Sequence, residues 1–143
     1  MINLLNGIDS TAAALRAERI RMEVVGNNIA NANVSRGIDG LPYQRQEVIF
    51  ESVLSNTRIG DGAPVPSLNV ARIESDNRPP RMIADPGHPD ADPVTGLRAV
   101  PDINIHEEMA DYMIASRAYE ANLSVVKTAR SIAMQTLSIG KQV

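Results

Sequence analysis

Two histidines, a scatter of carboxylates and one dense run of asparagines are the groups in this chain whose types and spacing could do chemistry. His88 stands among Asp85, Asp90 and Asp92, an oxygen-rich setting of the kind that holds hard cations. Pro86, Pro89 and Pro93 interleave those acids and no ligand spacing matches, so the stretch reads as a solvated, turn-rich loop. His106-Glu107-Glu108-Met109-Ala110 begins like the paired-histidine motif of zinc proteases, but its fifth position is Ala110. It reads as the polar first turn of a helix. Glu107 and Asp111 lie four residues apart and could work as an acid and a base. At a helix start they read as charges that complement the macrodipole. Nothing resembles a nucleophile elbow or a glycine-rich phosphate loop. The expectation is a chain with no catalytic residues, no metal ligands and no cofactor. A small hydrolase or metal-dependent enzyme built around His88 or His106 is the contrary reading.

The asparagines are harder to treat as ordinary. Gly26-Asn27-Asn28-Ile29-Ala30-Asn31-Ala32-Asn33 places four amides at the end of an apolar-striped segment. A helix C-terminus accounts for one or two of them, because asparagine tolerates the left-handed region and feeds a turn. An amide carries donors and acceptors together and can bond the backbone of neighbouring helices. Asn27, Asn28 and Asn31 therefore predict a helix end that docks in one register, a specificity gained at some cost in stability.

Proline and glycine show which elements must position these groups. All nine prolines fall between Pro42 and Pro101, and six of nine glycines between Gly37 and Gly96. Proline removes a backbone donor and clashes inside a helix, so only the flanks are free to be long helices. The first flank, roughly 4–31, carries Met1, Ile8, Leu15, Met22 and Ile29 at seven-residue spacing, with a mixed companion row of Leu5, Ala12, Arg19 and Gly26. The last flank, roughly 105–139, carries Ile105, Tyr112, Tyr119, Val126 and Ala133, with Met109, Ser116, Leu123, Arg130 and Leu137 beside them. Such narrow rows predict a coiled-coil-like seam. Asn104 and Glu107 are placed as a capping box, and Gly140 as a stop. Between the flanks the spacing predicts short strands at Tyr43–Phe50, Leu68–Ile73, Arg81–Ala84 and Leu97–Val100. Turns are expected at Gly60-Asp61-Gly62 and from Asp85 to Asp90. The predicted class is mainly α, with long N- and C-terminal helices pairing as a coiled-coil-like domain around a small β and loop-rich middle segment. The corresponding divisions are 1–35, 36–103 and 104–143, the first and last forming one helical domain.

Composition narrows the partners. Net charge is −3 and pI about 5.3, with no basic excess to hold nucleic acid or an anionic membrane. The whole of that charge lies in residues 36–103, which carry seven bases and ten acids. There is no cysteine, hence no disulfide framework and no thiolate site. No stretch approaches the ~20 apolar residues that cross a bilayer, so direct membrane insertion is not expected. Met1 to Gly7 is apolar but is followed at once by Asp9, Arg16, Glu18 and Arg19, which is no signal-peptide core. Export, if it occurs, is expected without a cleaved signal. Three Tyr, one Phe and no Trp leave little for a large compact core. The aliphatic rows are therefore expected to pack between chains.

Asn27-Asn28-Ile29-Ala30-Asn31-Ala32-Asn33 resembles the N-terminal signature of the flagellar rod and hook proteins, the axial family. Ser116-Arg117-Ala118-Tyr119-Glu120-Ala121-Asn122 is similar to the motif of their C-terminal helix. Asp85-Pro86-Gly87-His88-Pro89-Asp90-Ala91, followed by Val100-Pro101-Asp102-Ile103-Asn104, resembles proximal rod members of the FlgC type, as does the short middle. Val34-Ser35 stands where the family often has threonine. The resemblance covers essentially the whole chain. It implies a structural subunit of the proximal rod, exported by the flagellar type III apparatus and self-associating in a helical assembly around a channel. It implies as partners the other rod proteins, the adapter at the rod base and the membrane-ring protein. It implies a place in the periplasmic rod of the basal body, where the subunit transmits torque. The assembly residues expected from the apolar rows, the asparagine run and these motifs together are Ile8, Leu15, Met22, Asn27, Asn28, Ile29, Asn31, Tyr112, Tyr119, Asn122, Leu123, Val126, Ala133 and Leu137. Another axial subunit, or a cytoplasmic helical export adapter or chaperone, is the alternative.

Overall fold

A run without proline and with glycine only at positions 7 and 26 leaves the N-terminal flank free to propagate one helix, and it does. The computed structural model describes the backbone of residues 2–37, 39–58 and 64–140, and the side chains of 7–37, 39–53 and 68–140. Helix α1 is Ile2–Ala30 and helix α2 is Ile105–Gly140, of 29 and 36 residues. At 1.5 Å per residue they extend about 43 and about 54 Å. Between them lie β1 (Gln46–Arg58), β2 (Pro64–Ser75), β3 (Arg81–Ala84) and β4 (Leu97–Val100). The chain is thus mainly helical with a small antiparallel middle. Met1, the Gly60-Asp61-Gly62 turn and the side chain of Leu5 lie outside the described residues.

Each helix end has an identifiable cause. Asn104 Oδ1 accepts the His106 N–H at 3.1 Å, and the Asn104 carbonyl accepts the first helical N–H, from Glu108, also at 3.1 Å. Asn104 Nδ2 donates to Glu107 Oε1 at 3.0 Å, so the expected box closes between two side chains. At the end of α1, Asn31 sends both its backbone N–H and its side-chain Nδ2 to the Asn27 carbonyl, at 3.0 and 2.8 Å. Among the described residues no non-glycine adopts positive φ, so the asparagines end α1 by hydrogen bonding and not through the left-handed region.

Strands β1 and β2 form a long antiparallel hairpin packed along α1, and β3 and β4 a second, separate pair. β1 begins later and runs further than Tyr43–Phe50, and β2 extends back through Pro66 to Pro64. Proline is tolerated in a two-stranded ribbon because each strand keeps a free edge. Between Ile49 and Phe50 the register slips by one residue on β2, a bulge at Ala71. β3 and β4 match their expected spans. The 85–96 loop that joins them folds back through Gly96, where φ is +66° and an added Cβ would sit 3.2 Å from Pro86 Cβ.

The helices run antiparallel, since Asn28 meets Glu108 while Arg21 meets Asp111 at 3.7 Å. Buried positions on α1 are Ala13, Ala17, Val24, Val25 and Asn28, with Ala32 just beyond its end. On α2 they are Glu108 and Ala115. Ala13, Ala17, Val24 and Asn28 recur at steps of four, seven and four residues, the spacing of a seam. Ile8, Leu15, Met22 and Ile29 flank that seam half-buried. Val100, Pro101 and Ile103 close the core where the middle segment enters α2.

Candidate functional site

The end of α1, the entry to β1 and the first turns of α2 meet in one buried polar junction. Asn28 is 0 % exposed and Glu108 2 % exposed. Asn28 Nδ2 donates to the Gln46 carbonyl at 2.8 Å and to Glu108 Oε2 at 3.0 Å. Asn28 Oδ1 accepts the Gln46 N–H at 2.9 Å and the Tyr43 hydroxyl at 3.0 Å. All four hydrogen-bonding positions of the amide are therefore filled within the chain. The amide acts as a strand partner for Gln46, whose N–H and C=O both turn toward α1. Aspartate could not donate, and leucine would leave the Gln46 peptide without partners.

Glu108 Oε1 accepts from Arg45 Nε at 2.7 Å. Arg45 also lies 3.7 Å from Glu47 and 3.8 Å from Asp76. Asp76 in turn pairs with Arg78 at 2.7 Å, and its N–H donates to the Arg45 carbonyl at 2.7 Å. Burial alone would lower the Arg45 pKa, but the hydrogen bond and charge of Glu108 outweigh it and hold the guanidinium ionised. Arg78 holds the Asp76 carboxyl below the usual carboxylate range. A shallow hollow beside the junction is rimmed by Arg45, Asp76, Arg78 and Asp102, and these charges pair with one another. The arrangement can hold segments together but leaves none of these groups free to act on a substrate.

Burial, then the nearby Glu108 charge, raises the Tyr43 phenol above its ordinary 10.0. The folded state keeps that proton at a pH where the unfolded chain has lost it. This group's contribution is thus fully present below pH 10 and is lost as pH rises through the folded value. The absorbance step abolished in Tyr43→Phe should therefore lie above pH 10 and move down in Glu108→Gln. A step at 10 or lower would show the junction open in solution.

Glu108 does lie in the polar first turn of α2, but there it is also a buried acceptor for two segments, a role the sequence reading did not assign to it. No local signal marks it, because its partners are 63 and 80 residues away. His106 stays exposed on that turn. The acids around His88 each face a different partner. Asp90 accepts from Ser35 Oγ at 2.8 Å and pairs with Arg36 at 3.5 Å. Asp92 accepts the Val94 N–H at 2.7 Å, and Asp85 pairs with Arg98 at 3.2 Å. The Asp90 N–H donates to His88 Nδ1 at 3.1 Å. Among the described residues no three such side chains converge as a metal site.

The remaining assembly candidates spread along the helices. Met22, Asn27 and Tyr112 line one open groove with Gly26. Asn31 is half-buried, as are Tyr119, Asn122, Leu123, Val126 and Ala133. Tyr112 and Leu137 are exposed, together with Met109, Met113, Val125, Ile132, Met134 and Ile139 on the same helix. No described helix is long and apolar enough to cross a membrane.

Both helices match models of flagellar rod families. Residues 8–36 match the flagella basal body rod protein family, and residues 100–139 the C-terminal family of flagellar basal body rod FlgEFG proteins. These matches define a structural rod-type protein with its family features at the two ends. Similarity to individual proteins extends across the middle as well. The flagellar basal-body rod protein FlgC of Borreliella burgdorferi is 36 % identical over 96 % of this chain and 98 % of its own length. FlgC of Escherichia coli O6:H1 is 34 % identical over 96 % and 98 %, and that of Bacillus subtilis 31 % over 95 % and 97 %. The chain belongs to the FlgC family of flagellar basal-body rod proteins. It is a structural subunit of the flagellar basal body and not an enzyme.

Proposed function

We propose that the chain builds the proximal rod through its two terminal helices, which enclose the export channel and carry torque toward the hook. The observation that supports this best is the apolar surface along the second half of α2, where Val125, Ile132, Met134, Leu137 and Ile139 are exposed. Val125, Ile132 and Ile139 recur at seven-residue spacing and so share one face of the helix, and exposed apolar side chains that line up in this way favour an interaction surface. A fully buried aliphatic side chain contributes about 1.5–3 kcal/mol. Ordering the chain costs roughly 1–2 kcal/mol per residue, so a lone pair of helices is marginal and many neighbours make it firm.

In this reading 1–35 and 104–143 form one coiled-coil-like domain and 36–103 an arm. Ile8, Leu15, Met22, Asn27, Ile29 and Asn31 on α1 face other subunits. Tyr112, Tyr119, Asn122, Leu123, Val126, Ala133 and Leu137 do so on α2, while Asn28 sets register from within. The neighbours are the other rod proteins, further copies of this chain, the adapter at the rod base and the membrane-ring protein. The subunit reaches them through the flagellar type III apparatus, without a cleaved signal, and resides in the periplasmic rod. Mass spectrometry of purified hook–basal bodies tests the reading. The chain is expected there in fixed proportion to the other rod proteins. Intact basal bodies that lack it would overturn the assignment, and retention in the cytosol would point to an export adapter.

A further inference from the structure

We propose that Val94 of one subunit seats in a hollow on the next copy of this chain, so that the middle segment joins neighbours as well as the helices. The proposal rests on the reading of the chain as a rod subunit that packs against further copies. Val94 is 90 % exposed, more than any other large apolar side chain among the described residues. It stands on a fixed turn. Asp92 Oδ1 accepts the N–H of Val94 at 2.7 Å and that of Thr95 at 3.2 Å. The Asp92 carbonyl accepts the Gly96 N–H at 2.8 Å, and the Asp92 N–H donates to the Leu97 carbonyl at 2.9 Å. An apolar tip held in this way has little freedom left to lose when a partner covers it.

The hollow is the one beside the buried junction. It measures about 170 Å³, and its apolar wall is Leu41, Pro42, Tyr43, Pro80 and Pro101. A water takes up about 30 Å³ in the liquid, so the hollow has room for the three-carbon side chain of valine. Tip and hollow lie at opposite ends of the β3–β4 ribbon. Pro80 and Pro101 flank the Arg81–Val100 pair, while the 85–96 loop springs from the Ala84–Leu97 pair. Those ends are about 10 Å apart along the strands, so Val94 does not fill the hollow of its own subunit. A patch that fits a different patch on an identical molecule makes a heterologous contact, which closes into a ring or propagates as a helical array. Charge favours a second copy as the occupant. Asp92 beside the tip and Arg81 beside Pro80 are both exposed, and neither enters an ion pair among the described residues. These opposite charges complement one another when subunits meet head to tail.

Cysteine cross-linking in the assembled rod tests it, and the chain has no cysteine of its own to interfere. In basal bodies from cells carrying Leu41→Cys together with Val94→Cys, oxidation should give disulfide-linked dimers, trimers and longer ladders of this chain. Neither single variant should cross-link. Val94→Asp should lower the amount of the chain in basal bodies by about tenfold or more, the loss expected when one buried aliphatic contact is removed. Its unfolding midpoint as a free subunit should stay that of the wild type. A double variant that enters the rod without forming a ladder would overturn the contact and leave the rod reading standing. Should the double variant fail to assemble, Val94→Asp decides, and its incorporation at the wild-type level would overturn the contact. A disulfide from the Val94→Cys variant to a different rod protein would overturn the second copy as occupant. Absence of the wild-type chain from intact basal bodies would overturn the rod reading and this contact with it.

Discussion

Glu108→Ala should lower the unfolding free energy of the isolated subunit by about 3 kcal/mol, the low end of the range for breaking a buried pair from one side. The carboxylate is 2 % exposed and accepts from both Asn28 and Arg45. Its loss leaves one Asn28 donor facing apolar space, which by itself costs about 1–3 kcal/mol. Arg45 is partly compensated, because Glu47 and Asp76 remain within 4 Å, and this keeps the figure from the upper end. Marginal stability makes such a loss a large fraction of the whole. Urea unfolding followed by circular dichroism measures it directly. A change under about 1 kcal/mol, the scale of an ordinary surface substitution, would mean that the junction is not closed in solution.

Leu137→Asp should abolish swimming while leaving the isolated subunit as stable as before. Leu137 is 53 % exposed, and a surface change of this kind usually stays within about 0.5 kcal/mol. On the packing proposed above, the same carboxylate would be buried without a partner in the rod, at a cost of several kcal/mol in every subunit. Val126→Asp, at a half-buried position, should block assembly too but also weaken the subunit. Soft-agar motility, the variant's presence in basal bodies and its export into the medium separate these effects. Normal swimming by Leu137→Asp would show that this end of α2 is not an assembly surface.

The long helices were legible because their determinants are local. Nine prolines confined to 42–101 leave two uninterrupted flanks, and expected and observed boundaries agree within two residues. β3 and β4 were legible for the same reason, each a short apolar run between turn residues. β1 and β2 were underestimated because strand length there depends on pairing across a hairpin and not on either strand alone.

The seam was read only approximately. Large aliphatic rows drew attention to Leu15 and Met22, but the deepest apolar positions on the helices are Ala115 and Ala17, whose small side chains suit close packing, followed by Val24. A straight helix also drifts by about 20° per heptad against a strict seven-residue row. That drift explains why Tyr112 is exposed while Tyr119, Val126 and Ala133 in the same row are half-buried. The asparagine run announced a docking helix end without saying which amide does the docking. Composition and periodicity thus carry the two helices, the irregular middle and the family signature, since each depends on neighbours in the chain. The choice of Asn28 over Asn27 and the burial of Glu108 emerge only on folding, because a buried polar group is defined by partners up to 80 residues away that meet it in space.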